Sequence, residues 1–168
     1  MRDFPLDSHM HPNPYAAALG ERDPLDALAD TPARIRDLVA CSPADRLQRR
    51  LAPGKWSARQ ILIHLAQTEM ALGARARFAL GQAGYRAQAF EQDAWMPLDA
   101  NTPAAVALDV YTSLREMNVA MWTALTAEQR ARSFAHPEYG TLTVWWIAEQ
   151  MAGHDIHHFM QLGALLGT

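Results

Sequence analysis

The chain has 168 residues, of which 49% are hydrophobic and 20% charged, with a net charge of −3; this suits one domain of 1–168 with its own core. The absence of a long Lys/Arg run argues against a nucleic-acid binder, and no apolar stretch reaches the ~18 residues of a membrane span. Cys41 is the only cysteine, so no intrachain disulfide can form; with no apolar signal core near the N-terminus, the expectation is a cytoplasmic protein.

Residues 1–22 read as an irregular, proline-rich segment with a short helical turn near Pro14 to Leu19. His9 and His11 fall in this segment, where a mobile tail is expected rather than a metal site. Asp23-Pro24 opens the first long helix: Asp caps, Pro takes the first helical position, and Asp26 meets the positive end of the dipole. Thr31-Pro32 repeats the signal, which predicts a kink or restart before the helix ends near Ala40. Ser42-Pro43 starts a short further piece, and Ala52, Pro53 and Gly54 make a turn. Ser57 and Gln60 form a capping box for the second long helix, which runs to about Leu80, with Gly81 and Gly84 as stops. His64, Thr68, Leu72 and Arg75 share one broad face of it with Ile61 and Leu65.

A connection from Gly81 to Pro103 follows. Such a length without structure is uncommon unless it has a task; Trp95 and Met96 make it a candidate pocket wall. Thr102-Pro103 starts the third long helix, which reaches about Leu125, with Val106, Val110, Leu114, Met117, Met121 and Leu125 as its apolar positions; Thr126 to Arg130 extends it. A turn at His136–Gly140 leads to the fourth helix, from near Thr143 to Leu166, ending at Gly167. No strand-like alternation competes. The expected fold is therefore an all-α four-helix bundle.

The fourth helix carries His154, His157 and His158. His154 and His158 are four apart, so both rings lie on one helix face, about 6 Å apart in rise. Two imidazoles so placed can bind one transition metal, and His64 would complete a three-histidine site with open positions, the arrangement of a catalytic rather than a structural ion. The crossover between the second and third helices is long enough to return along a helix, which gives up-down-down-up topology. His64 then lies roughly 10 Å from the start of its helix and His158 roughly 12 Å from the end of its own. Those heights match only if the two helices are antiparallel, as this topology makes them. His157 flanks the site, and His136 is placed at the wrong end of the bundle, in a structural hydrogen bond. Gln161, on the face of His154 and His158, can orient a ligand ring or bond a water at the site. Glu69 can act as a proton acceptor there, but an ion pair with Arg75 or Arg77 is the favoured reading.

Gly54-Lys55-Trp56-Ser57, His64-Leu65-Ala66 with Glu69, Gly140-Thr141-Leu142-Thr143, and His154-Asp155-x-x-His158 with Gln161 together resemble the DinB/YfiT-like superfamily, from about residue 14 to the end. The resemblance implies an up-down-down-up bundle, often a homodimer, with His64, His154 and His158 binding a divalent metal, commonly nickel or zinc. It also implies one of several functions: S-transfer with a low-molecular-weight thiol such as bacillithiol or mycothiol, metal-dependent hydrolysis, or a damage-inducible role without an assigned reaction. Ligand type alone ranks zinc, nickel and iron equally. The leading expectation is a metal-dependent enzyme acting on a small-molecule substrate, hydrolase or thiol S-transferase. Its alternative is a non-catalytic metal- or ligand-binding stress protein, because no convincing general base stands beside the ligands.

Overall fold

A computed structural model describes residues 12–167; His9 and His11 lie outside them. The elements in chain order are α1 (Ala16–Leu19), α2 (Pro24–Ala40), a 3-10 turn (Ala44–Gln48), α3 (Ala58–Gly81), α4 (Gln92–Trp95), α5 (Ala104–Ala124), α6 (Ala127–Ala131), β1 (Ser133–His136), β2 (Gly140–Thr143) and α7 (Val144–Leu166). The four long helices α2, α3, α5 and α7 form a bundle in which α2 and α3 each pack on both α5 and α7.

Side-chain pairs give the directions. Along α3 and α5, Arg59 reaches Thr102, Glu69 meets Arg115, and Arg77 meets Asn118, so these helices are parallel. Arg36 pairs with Asp109 while Leu28 meets Arg115, so α2 runs against α5. Arg34 covers Phe159, and Arg46, just beyond α2, donates to the last carbonyls of α7 at Leu166, so α2 and α7 are parallel. The order is up-down-down-up.

The helix starts follow their caps. Asp23 accepts from the backbone N–H of Leu25 and Asp26, Ser57 and Gln60 complete the capping box of α3, and Thr143 caps α7. Pro32 neither kinks the chain into two helices nor restarts it; α2 continues through it. Pro32 has no N–H to give the carbonyl of Leu28, and that carbonyl accepts instead from Arg115 Nη1 at 3.0 Å. A buried acceptor that would otherwise be orphaned is thus satisfied from another helix.

Three readings of the sequence are corrected. The segment before α7 contains a β-hairpin, with Phe134 opposite Leu142 and His136 opposite Gly140; four residues per strand are too few for alternation to stand out. Thr126 does not extend the preceding helix but caps the separate α6. In α5 the apolar positions are only in part the core face: Met121 and Leu125 pack against the core, but Val106, Val110 and Met117 are 48%, 37% and 53% exposed, while Tyr111, Arg115, Asn118 and Trp122 are buried.

The long crossover is tied down along its length. Ala87 donates to Ala135 O and Ala135 to Tyr85 O, which lays residues 85–87 along β1. Gln67 of α3 donates to Trp95 O and to Asp99 Oδ2.

Candidate metal centre

The bundle brings His64 of α3 together with His154 and His158 of α7. His64 Nε2 lies 2.8 Å from His154 Nε2, which lies 3.0 Å from His158 Nε2. All three residues are buried, and they form a group able to hold a metal ion. Three imidazole nitrogens converge on one point, where neutral rings offer lone pairs that cannot all satisfy one another. Burial, with repulsion from His154 and His158, pushes His64 down to about 2; burial, with repulsion from His154 and His157, pushes His158 down to about 3. The rings of His64 and His158 are therefore neutral at ordinary pH, which is the ligating form.

Gln161 sets the ring of His158. Its Oε1 lies 2.8 Å from His158 Nδ1, and its Nε2 lies 2.9 Å from His157 Nε2. A carbonyl oxygen can only accept, so Nδ1 of His158 carries the proton and Nε2 presents its lone pair to the centre. His157 thus flanks the site, as its helical position implied, and anchors Gln161 there. Nδ1 of His154 stands 3.6 Å from Asp155 Oδ1, beyond hydrogen-bond reach, and Nδ1 of His64 has no partner among the described residues.

Behind His154 lies a buried charge network that the sequence reading missed. Arg115 Nη2 pairs with Asp155 Oδ2 at 2.6 Å and with Glu69 Oε1 at 2.5 Å, while Tyr111 donates to Asp155 and Asn118 to Glu69. Burial works to raise the Asp155 carboxyl, but the Arg115 guanidinium overrides it and holds it at about 2. Burial raises Glu69, and Arg115 offsets this only in part. Glu69 is thus in an ion pair, with Arg115 rather than Arg75 or Arg77, and lines neither cavity at the histidines. The network holds two carboxylates and one guanidinium, and its ionised Asp155 places negative charge beside the histidines, where it favours a cation. Its sequence signal was an acid and an arginine at buried helical phases, Asp155 adjoining His154 and Arg115 four residues after Tyr111.

Two cavities open from the cluster. One, of about 390 Å³, is lined by His64, His154, Thr68, Arg75, His136 and Gln150 among others. The other, of about 520 Å³, is lined by His157, His158, Gln161, Trp56 and Lys55 among others. Tyr15, Gln92 and Asp93 border both. Tyr15 sits edge-on to His154 at 5.1 Å between ring centroids. Gly153 permits this approach, because a Cβ there would come within 2.4 Å of Tyr15 O. The crossover does supply a wall, but through Phe90, which stacks on His64, and the residues just after it. Trp95 turns its ring to Phe90 and Met96 is buried in the core. His136, placed by the sequence at the wrong end, is in the first cavity; its Nδ1 accepts from the N–H of Glu138 and its ring stacks on Tyr139.

The fold and the cluster together define a class: an up-down-down-up helical bundle with three imidazoles gathered from its second and fourth long helices. The chain belongs to the DinB superfamily, whose family model matches residues 27–162. Two proteins of Oceanobacillus iheyensis, each named as a putative metal-dependent hydrolase, are 26% identical over 80% of this chain and 79% of their own length, and 23% identical over 84% and 83%. Among solved structures, YfiT from Bacillus subtilis superposes with a TM-score of 0.76 at 23% identity, covering 86% of each chain. That protein is described as a probable metal-dependent hydrolase with an unusual four-helix bundle topology.

Proposed function

We propose that the protein is a metal-dependent enzyme whose divalent transition ion is held by Nε2 of His64, His154 and His158. The observation that carries this reading is the convergence of the three nitrogens, 2.8 and 3.0 Å apart in the two closest pairs. At bond lengths of about 2.1 Å, ligands at right angles stand about 3.0 Å apart and tetrahedral ligands about 3.4 Å. The separations therefore suit a three-nitrogen set that would hold one ion, and the cavities beside it would admit a water or a substrate. Zinc, nickel and iron all accept imidazole; nickel or zinc is the preferred reading on the family resemblance.

Such an ion supplies Lewis acidity that lowers the pKa of a water or a thiol towards about 7. The chain's own residues do the rest. Gln161 fixes the proton of His158 on Nδ1, and Asp155 holds negative charge beside His154. Tyr15, Trp56 and Phe90 screen the histidine rings. Glu91, Asp93 and Glu138, in the cavity lining, are the carboxylates available to take a proton from a bound nucleophile. Hydrolysis is the first reaction to test, given the relatives' names; S-transfer with a low-molecular-weight thiol is the second, because it uses the same activation. The protein is read as cytoplasmic, where such thiols are kept reduced.

Elemental analysis of tag-free protein tests the site directly. About one transition ion per chain is expected, lost in His64→Ala. Retention of a full equivalent in that variant, with helicity unchanged, would reject the ligand set.

A further inference from the structure

The first cavity holds a cation for which the proposed chemistry has no use. His64, Thr68, Leu72 and Arg75 lie on one face of α3 and all line that cavity. Arg75 is eleven residues beyond His64, about 16 Å along the axis. Helical side chains lean back towards the N-terminus, which brings the guanidinium towards the histidines.

Arg75 is only 6% exposed, and its one hydrogen bond among the described residues runs from Nη2 to Gln88 O at 2.8 Å. Among the described residues it makes no ion pair. Burial pulls its pKa down from the ordinary arginine value, and Tyr85, Glu138 and Tyr139 offset this only in part. The contrast is Arg115, more deeply buried still, which holds two carboxylates and the Leu28 carbonyl. A guanidinium has five N–H donors; anchoring Gln88 uses one. Two further cavity-lining atoms, Thr68 Oγ1 and Gln150 Oε1, are buried without a hydrogen-bond partner among the described residues. Thr68 stands on the face between His64 and Arg75, so unpaired polar groups mark the way from the cluster to the cation. Buried polar groups left unpaired cost about 1–3 kcal/mol each, more for a charge, and that cost is removed when a ligand pairs them.

We infer that this cavity takes an elongated small molecule with a carboxylate at one end, held by Arg75, and its reacting group at the histidine cluster. The inference deepens the enzyme reading and rests on it for the reacting end. The planar fork of Arg75 matches a carboxylate through two parallel hydrogen bonds. A phosphate dianion fits less well, because Glu91, Asp93 and Glu138 line the same cavity and only one arginine does. The volume, about 390 Å³, is that of a small-ligand site. The span from guanidinium to cluster is on the order of 10 Å, the helical rise less the backward lean of the side chain.

The test compares 6-mercaptohexanoate, 6-mercaptohexanol and 6-mercaptohexyl phosphate by calorimetry on the zinc-loaded full chain. The carboxylate is expected to bind at least about tenfold tighter than the alcohol and tighter than the phosphate. Arg75→Gln should abolish that advantage while leaving alcohol affinity and zinc content unchanged; Arg75→Lys, which keeps the charge without the fork, should retain part of it. Equal affinity for acid and alcohol, an advantage that survives Arg75→Gln, or tighter phosphate binding would each overturn the inference. If the chain takes up none of zinc, nickel and iron, the enzyme reading fails by itself. Hexanoate against hexanol on the metal-free chain then decides the carboxylate site, with the same dependence on Arg75 expected and its absence fatal. If Arg75→Gln does not fold, Arg75→Lys carries the comparison.

Discussion

At the scale of single residues, the centre depends on groups that never touch the converging nitrogens. Gln161 is the clearest case, since it decides which nitrogen of His158 is free. Gln161→Leu keeps the side chain's bulk and removes both hydrogen bonds, so metal affinity should fall about 10- to 100-fold. Competition against a chromogenic chelator measures this, and an unchanged affinity would show that packing alone holds the ring. The histidines also tie stability to acid. His64 at about 2 and His158 at about 3 lie far below the ~6.5 of an unfolded chain. Between those values the unfolded chain binds more protons than the folded one. The metal-free protein should therefore lose about 1.4 kcal/mol per pH unit for each of the two as pH falls below about 6. Asp155, held at about 2, adds to the loss only below about pH 4. Urea melts of the metal-free chain at pH 7, 6 and 5 should show this slope, roughly halved in His64→Ala. A flat profile would mean that the rings take up protons as readily in the folded chain as in the unfolded one.

At the scale of elements, α5 shows where sequence patterning succeeds and where it fails. Its length and its start at Pro103 were legible, because proline and helical periodicity are local signals. Its orientation was not. Apolar periodicity pointed to a face on which Met121 and Leu125 do meet the core but Val106, Val110 and Met117 are exposed, and the buried face is Tyr111, Arg115, Asn118 and Trp122. A helix whose core side carries an arginine breaks the rule by which faces are assigned, and only the partners, Glu69 and Asp155 on two other helices, make that burial tolerable. The members of this network are unequal. Arg115→Leu leaves two buried carboxylates without their cation and should destabilise the fold by about 3–5 kcal/mol. Glu69→Gln removes the excess negative charge and keeps an acceptor for Arg115, so about 1–2 kcal/mol is expected. Chemical denaturation of both variants at pH 7 checks the order; equal losses would show that Glu69, not Asp155, is the essential counter-ion.

At the scale of the whole molecule, the topology was legible from one loop length and two histidine heights, because a bundle offers few ways to connect four helices. The histidine trio followed from helical spacing for the same reason. The cavities were not legible. They are bordered by Tyr15, the segment after Phe90 and the hairpin's His136, which arrive from three separate stretches of chain with no shared period. The three-dimensional arrangement also joins distant positions in ways that pairwise contact does not reveal. Pro32 of α2 leaves the Leu28 carbonyl without its helical donor, and Arg115 of α5 supplies one. The two substitutions that undo this arrangement should therefore be epistatic. Pro32→Ala offers the carbonyl a backbone donor again, so it should recover about 1–2 kcal/mol in the Arg115→Leu background and much less in the parent chain. A double-mutant cycle that proved additive would show the carbonyl to be satisfied by other means. If the coupling is found, the tolerance of α2 for its internal proline is conditional on a residue of another helix, and Arg115 cannot drift while Pro32 stays.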